Sequence, residues 1–317
     1  IKSSAASDVY KRQVYILKGK RLCSVAGQFG WFHMKKSSFP STMSIFFLFF
    51  VPYIVTAVFN GMDTTLINRK FNVEEVLPVL IAGQIGDSYE LETIKAQAII
   101  ARSNIYRKIS EEKSLSDILM QIRDQVHIDS VHSAVMQKNY ETAVIATESR
   151  VITWAGELKT VPYHELSAGR TRAGEEVFHS DDSLYLKSVQ SSVDKDSKEF
   201  LNCVYINKNV LPEIFQIKSR DSAGYVMEIL ADGKILEGES FRKGMGLTSA
   251  NFTVQNKGNR VRFLCRGRGH GMGFSQYGGN EMAKKSKTAE EILDYYFPGS
   301  EIEKISNDFR LESLSCS

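Results

Sequence analysis

Six glycines fall within thirteen residues between Gly267 and Gly279, in the order Gly-Arg-Gly-His-Gly-Met-Gly-Phe-Ser-Gln-Tyr-Gly-Gly. A segment with so few Cβ atoms forms neither a stable helix nor a regular strand. Glycine is used where the backbone must take positive φ or approach a neighbour closely. The stretch reads as a loop that presents His270 on bare backbone, followed by the polar groups of Ser275, Gln276 and Tyr277. The blander alternative is a tight turn whose His and Gln satisfy buried backbone groups, and the density of glycine around His270 favours a site. A dinucleotide fingerprint is not met, because the βαβ context and the distal acid are lacking.

Composition bounds the rest. With 317 residues, 43% of them hydrophobic and 24% charged, the chain is neither disordered, collagen-like nor polytopic in a membrane. Its length suits one large domain or two ordinary ones. Residues 1–62 hold eight Lys or Arg against the single acid Asp8, a net of +7, so with +3 overall the remainder carries −4. The basic balance belongs to the N-terminal end, and no nucleic-acid partner is expected. Cys23, Cys203, Cys265 and Cys316 show no metal-knuckle spacing. Cys203 and Cys265 are open to one disulfide or to two free thiols.

The first methionine is Met34, and Lys35 and Lys36 precede an almost wholly apolar run from Ile45 to Phe59. This is the form of a signal anchor or a signal peptide. An uncleaved anchor is favoured, since no small-residue cleavage site stands near Ala57 to Gly61. The expected organisation is an upstream, non-native extension over 1–33, the anchor or signal over 34–62, and a folded domain over 63–312. That places the domain on the extracytoplasmic side of the cell membrane, tethered by a single pass.

In the folded part, Asn72 to Gly86 is apolar enough for a buried helix or a strand, and periodicity does not decide. Leu91, Ile94, Ala98, Ala101, Ile105 and Ile109 recur at spacings of three and four, which predicts a helix after an Asp87/Glu90 capping box. Residues 115–138 also read as helical. Residues 140–164 read as a hairpin or meander with turns at Ser149–Arg150 and Gly156. Further strands are expected over 200–206, 225–230 and 261–265, with a hairpin turn at Ala231-Asp232-Gly233. A last helix is expected over 288–297, opened by a Thr288/Glu291 capping box. Helices and strands mix without βαβ alternation, so the fold class is α+β: helices and antiparallel strands around one groove.

Two further clusters carry polar chemistry. One is Tyr163-His164-x-x-Ser167-x-Gly169-x-Thr171, a small-residue loop after a strand that can hydrogen-bond a polar ligand or simply turn. The other is Glu92-x-x-Lys95-Ala96-Gln97 followed by Ala101-Arg102, whose Glu92, Lys95 and Arg102 lie beside the apolar stripe and read equally as a solvated face.

Taken in order, these segments resemble the stage II sporulation protein D family, the SpoIID/LytB or amidase-enhancer group. The family's E-A-L-K-A-Q-A-x-A-A-R-T is similar to Glu92–Ser103 here. Its Y-H-x-x-S-x-G-x-T is similar to 163–171, and its G-x-G-H-G-x-G-x-S-Q-x-G to 267–278, followed by Ile292-Leu293-Asp294-Tyr295-Tyr296. The resemblance implies a lytic transglycosylase that cleaves MurNAc–GlcNAc bonds of peptidoglycan glycan strands already stripped of stem peptides. It also implies a partner cell-wall amidase and a membrane scaffold of the engulfment machinery. It puts Lys95, Arg102, Tyr163, His164, Ser167, Thr171, His270, Ser275, Gln276 and Tyr277 at the substrate. No cofactor is implied. Some members look zinc-bound through one His and two Cys; the matching stretch here has His127 and His132 but no cysteine, so no metal is expected.

The chemistry needs one carboxyl group, which protonates the departing glycosidic oxygen and then takes a proton from the C6 hydroxyl. In the family that Glu stands eight residues before the Glu of E-A-L-K-A-Q; here the position is Gln84. An amide has no proton to give near neutral pH. Glu92 is the nearest substitute inside the motif, with Glu90, Glu74 and Glu75 close in sequence. The alternative implied function is a catalytically weak glycan-binding scaffold or enhancer of an amidase.

Overall fold

The computed structural model describes residues 72–111 and 138–305. The expected anchor, the helix over 115–138 with His127 and His132, Cys23 and Cys316 lie outside the described residues. Among the described residues no helix is long and apolar enough to cross a membrane.

The ambiguous stretch after Asn72 is a helix, α1 (Val73–Ala82), capped by the Asn72 side chain, which accepts from the Glu74 backbone N–H at 3.0 Å. The long helix α2 (Leu91–Ser110) is the centre of the fold. Its expected stripe packs with α1 and with α3 (Lys138–Ala146). Its other side is buried as well: Ala96, Ile99 and Ile100 meet Ile152, Phe274, Ile292 and Tyr296 in a second core. The helix is therefore an axle between two cores, and its polar residues work inside the protein. Ser103 Oγ accepts from the Ile152 N–H at 2.8 Å, and Asn104 clamps both backbone groups of Val161 at 2.8 and 2.9 Å.

Two local expectations fail for one reason. The Asp87/Glu90 capping box does not form: Glu90 is the N-cap and makes no side-chain cap bond. Asn280 does the work from a distant helix, its Oδ1 accepting from Glu90 N at 2.8 Å and from Thr93 Oγ1 at 3.3 Å. The stretch around 141–147, expected to be strand, is the body of α3. Its Tyr140, Ala143 and Val144 sit at helical spacing and fill the first core. Tertiary burial outweighs the β preference of its Thr and Val residues. Strand β1 (Arg150–Thr153) does not join a local hairpin but pairs antiparallel with β10 (Glu301–Lys304). The turn at Gly156 is real, closing a Trp154–Glu157 bridge with positive φ at Ala155 and Gly156.

After β2 (Tyr163–His164) and the short helix α4 (Gly174–Phe178), the chain builds two three-stranded antiparallel sheets. One orders β3 (Leu201–Asn207), β8 (Arg260–Arg266) and β7 (Phe252–Lys257); the other orders β4 (Phe215–Arg220), β5 (Val226–Ala231) and β6 (Lys234–Glu237). They bury a third core of Val226, Ile229, Phe252 and Phe263 together with Phe241 from α5 (Gly238–Met245). The β5–β6 turn is the expected one, with φ of 48° at Asp232 and 79° at Gly233. Cys203 and Cys265 sit one register step apart on paired strands, Cys203 opposite Leu264 and Cys265 opposite Asn202. Neighbouring register positions point to opposite faces. Cys203 is exposed and Cys265 buried, and both are free thiols.

The C-terminal part returns to α2 through β9 (Phe274–Ser275), α6 (Gln276–Ala283) and α7 (Ala289–Tyr296). The Thr288/Glu291 capping box opens α7 as expected. The described residues are thus α+β, as expected, with mixed helices and antiparallel strands; β2 and β9 are a two-residue parallel exception.

Arg102 lies at the heart of the first core rather than on a solvated face. It is fully buried and binds Glu74 through two hydrogen bonds, Nε–Oε1 at 2.9 Å and Nη2–Oε2 at 2.8 Å, with Nη1 donating to the Arg150 carbonyl at 3.1 Å. Removing one partner strands a buried charge, which typically costs about 3–5 kcal/mol. Arg102→Ala should lower the unfolding free energy by that order, seen as a fall in the urea midpoint. Arg102→Lys should restore little of it, because an ammonium group does not reproduce the bidentate fork. A midpoint unchanged in both variants would contradict this role.

Candidate functional site

The glycine-rich loop leaves β8 with alternate glycines in the left-handed region: Gly267, Gly269, Gly271 and Gly273 have φ of 77°, 103°, 80° and 66°. Close approach leaves no room for a Cβ at any of the four, and most severely at two. A Cβ on Gly271 would lie 2.4 Å from the Tyr225 ring, and one on Gly273 would lie 2.2 Å from the Pro162 carbonyl oxygen. The loop is laced to the 163–172 segment. Leu166 and Arg268 exchange both backbone bonds, at 3.1 and 2.7 Å, and Arg172 N donates to the Gly271 carbonyl at 2.8 Å. The two motifs read separately in the sequence are therefore one structure.

Behind the loop stands a strut that sequence reasoning missed. Arg172 is buried, ion-paired to the buried Asp221, and lies 4.9 Å over the Tyr225 ring. It donates to the His270 carbonyl at 3.3 Å, and Tyr225 Oη accepts from Ala168 N at 2.9 Å. Arg172 follows Thr171 directly, so only its position at the motif's end could have signalled it.

Both histidines are held neutral. His270 Nδ1 accepts from Met272 N at 3.1 Å. Burial lowers its pKa to about 4; Glu239 opposes that, Arg242 and Arg172 add to it, and a hydrogen bond with the Tyr163 backbone opposes it slightly. His164 Nδ1 is 2.9 Å from the Met272 carbonyl, which makes Nδ1 the protonated nitrogen. Burial and the neighbouring His270 ring, 5.7 Å away, lower its pKa to about 3.

Ser167, Ser275 and Thr171 do not face a ligand. Ser275 Oγ donates at 2.8 Å, and the Ser167 backbone N–H at 2.9 Å, to one oxygen of Asp194, a fully buried acid whose pKa burial raises against those bonds. Thr171 Oγ1 accepts from Val189 N at 2.9 Å. These small polar residues hold the two loops together. Asp194 was not foreseen, because it comes from a 3₁₀ turn (Ser192–Asp196) with no motif of its own.

Gln84 follows α1 and is held by two other glutamines. Gln276 Nε2 donates to the Gln84 carbonyl at 2.8 Å and to Gln97 Oε1 at 3.1 Å; Gln97 Nε2 donates to Gln84 Oε1 at 2.8 Å. With its own oxygen accepting from Gln276, Gln97 presents its amide N–H groups to Gln84, and one carboxylate oxygen of a Glu at this position would receive the same bond.

Three cavities meet these residues. The first, about 700 Å³, is lined by Gln84, Tyr89, Glu165, Glu199, Arg268 and Tyr277, among others. The second, about 380 Å³, lies between Gln84, Asn104, Tyr163 and His270. The third, about 680 Å³, lies between His270, His179, Met227 and Arg242. Gln84 borders the first two and His270 the last two, so the Gln-bearing turn and the histidine loop share one groove. Of the expected site residues, Gln84, Gln276, Tyr277, Tyr163 and His270 line it. Arg102, His164, Ser167, Thr171 and Ser275 are buried supports. Lys95 and Glu92 form a pair at 2.6 Å on α2, where Glu92 also accepts from Ala289 N at 2.8 Å. Burial opposes, but the bonds to Lys95 and Ala289 prevail and lower the Glu92 pKa, the reverse of what a proton donor needs.

The family model described as stage II sporulation protein matches residues 61–154, which carry the Gln84 turn and α2. Along its length the chain is similar to stage II sporulation protein D of Bacillus subtilis strain 168, 28% identical over 73% of this chain and 74% of that one. It is likewise similar to stage II sporulation protein D of Bacillus amyloliquefaciens, 26% identical over the same shares. An uncharacterized protein of Brachyspira hyodysenteriae is 24% identical over 80% of this chain and 71% of that one. The chain is thus similar to stage II sporulation protein D over about three quarters of its length, and these homologues imply a sporulation-related function.

Depressed histidine pKa values fix a direction for stability. The unfolded chain takes up protons below about 6.5 while the folded one does not until about 4 at His270 and about 3 at His164. Stability from these groups is complete above about pH 6.5 and is lost as pH falls toward 4, with a slope of up to about 1.4 kcal/mol per pH unit for each histidine. Urea midpoints measured between pH 7 and 4 should show this loss, and His270→Gln should flatten it. A profile identical in both proteins would refute the assignment.

Proposed function

We propose that this protein acts on septal peptidoglycan during sporulation, as a lytic transglycosylase of denuded glycan strands tethered outside the membrane by its N-terminal apolar segment. The single observation that supports it best is the shared groove, in which Gln84 and His270 each border two consecutive cavities. A run of adjoining cavities suits an extended polymer better than a compact ligand. Amide, tyrosine and charged groups along it match the hydroxyls and acetamides of a sugar chain. The relatives named stage II sporulation protein D support the sporulation setting, and the septal wall is what the family resemblance implies. On this proposal a partner amidase strips the stem peptides and a membrane scaffold of the engulfment machinery holds the protein in place, both as the family resemblance implies.

A second reading rests on one residue. Gln84 occupies the position at which the family carries its acid, and an amide does not donate a proton there. Loss of general acid–base catalysis typically costs about 10²–10⁴-fold in rate. On this reading the protein grips glycan and enhances an amidase.

Denuded glycan strands incubated with the full chain, with 1,6-anhydro ends followed by mass spectrometry, separate the two. Gln84→Glu should raise the rate by about 10²–10⁴-fold if the groove is intact and only the acid is missing. Slow native product supports the enzyme. Product from the Gln84→Glu protein alone supports the scaffold. No product from either, and no co-sedimentation with strands, defeats both.

A further inference from the structure

We infer that Glu165 supplies the proton this chain's Gln84 lacks, an assignment that rests on the transglycosylase reading. Glu165 lines the first cavity together with Gln84 and Gln276. Its backbone is fixed: its carbonyl accepts from Tyr277 N at 3.1 Å, and the flanking His164 and Leu166 are buried. Tyr277 follows Gln276, whose amide holds Gln84, so Glu165 and Gln84 are fastened to adjacent residues at the start of α6. Of the acids near Gln84 in sequence, Glu74 is bound to Arg102 and Glu92 to Lys95 and Ala289, and neither Glu75 nor Glu90 lines this cavity.

The Glu165 carboxyl, though 61% exposed, is ion-paired. Arg268 Nε lies 3.2 Å from Glu165 Oε2 and Arg268 Nη2 lies 3.0 Å from Glu199 Oε2, so one guanidinium spans two carboxylates across the cavity. Loss of hydration raises the Glu165 pKa, Arg268 opposes the rise, and Glu199 adds to it. A glycan seated in the cavity would displace more water and push the pKa further in the same direction.

The step balances on one carboxyl group. Protonated Glu165 gives its proton to the glycosidic oxygen as the bond from MurNAc C1 to that oxygen breaks, releasing the GlcNAc 4-hydroxyl. The MurNAc C6 oxygen bonds to C1, and its proton returns to Glu165. No water is consumed, and the acid is regenerated.

The test uses the full chain in detergent, denuded glycan strands, and Glu165→Gln, Gln84→Glu and the double variant. The expected result is slow native release of anhydro ends, a loss of at least about 10²-fold in Glu165→Gln, and recovery in the double variant, whose new carboxyl shifts the pH profile. That recovery, with unchanged co-sedimentation on strands, separates loss of the proton from damage to the groove. Native product that survives Glu165→Gln overturns the assignment and leaves the enzyme reading standing. Absence of native product overturns the enzyme reading and this assignment with it.

Discussion

The structure depends on one close approach: the backbone of 267–273 lies directly against the 162–166 segment and the Tyr225 ring. Without side chains at alternate positions, the loop can exchange backbone hydrogen bonds with Leu166 and Arg172 and set His270 at the junction of two cavities. The polar residues around it are mostly spent on keeping this contact. Asp194 ties Ser167 to Ser275, Thr171 receives Val189, and Arg172 braces the far side against Asp221. A buried acid with several hydrogen-bond donors is a firm joint, because leaving any of those groups unpaired in the interior is costly.

The contact also explains why the residues of the motifs divide into two kinds. Those at the groove, namely Tyr163, His270, Gln276, Tyr277 and Gln84, stand where the two chain segments meet. Those one or two positions away turn inward. From sequence both kinds look alike, since a serine beside a histidine is as good a ligand for a sugar as for a carboxylate. The histidines are neutral and internally hydrogen-bonded, which suits shape and hydrogen bonding better than proton transfer.

Much of the fold was legible in the sequence because local signals agreed with tertiary ones. The period of α2, the Asp232-Gly233 turn and the Thr288 cap are each written in a few neighbouring residues. The failures were those in which a distant partner decides. Thr142 to Thr147 has β-rich composition, yet Tyr140, Ala143 and Val144 are needed in the first core at helical spacing. The cap of α2 was sought at Asp87 but comes from Asn280. Arg102, expected at the substrate or on a solvated face, is instead buried, and nothing nearby in sequence announces Glu74 as its partner. Glu165 was in plain view between His164 and Ser167 but carried no signal until the cavity gave it neighbours.

That dependence on distant partners has a consequence for how the molecule is made. Gln276 reaches Gln84, Asn280 closes the start of α2, and β10 pairs with β1, all across most of the described chain. Contacts of such long sequence separation are slow to form, since a large loop must be closed before any of them yields free energy. While the ribosome is still extending the middle of this polypeptide, the start of α2 lacks its Asn280 cap and the groove lacks its second wall. Assembly of the binding face is therefore a late event, reserved for a chain whose final segment has already emerged.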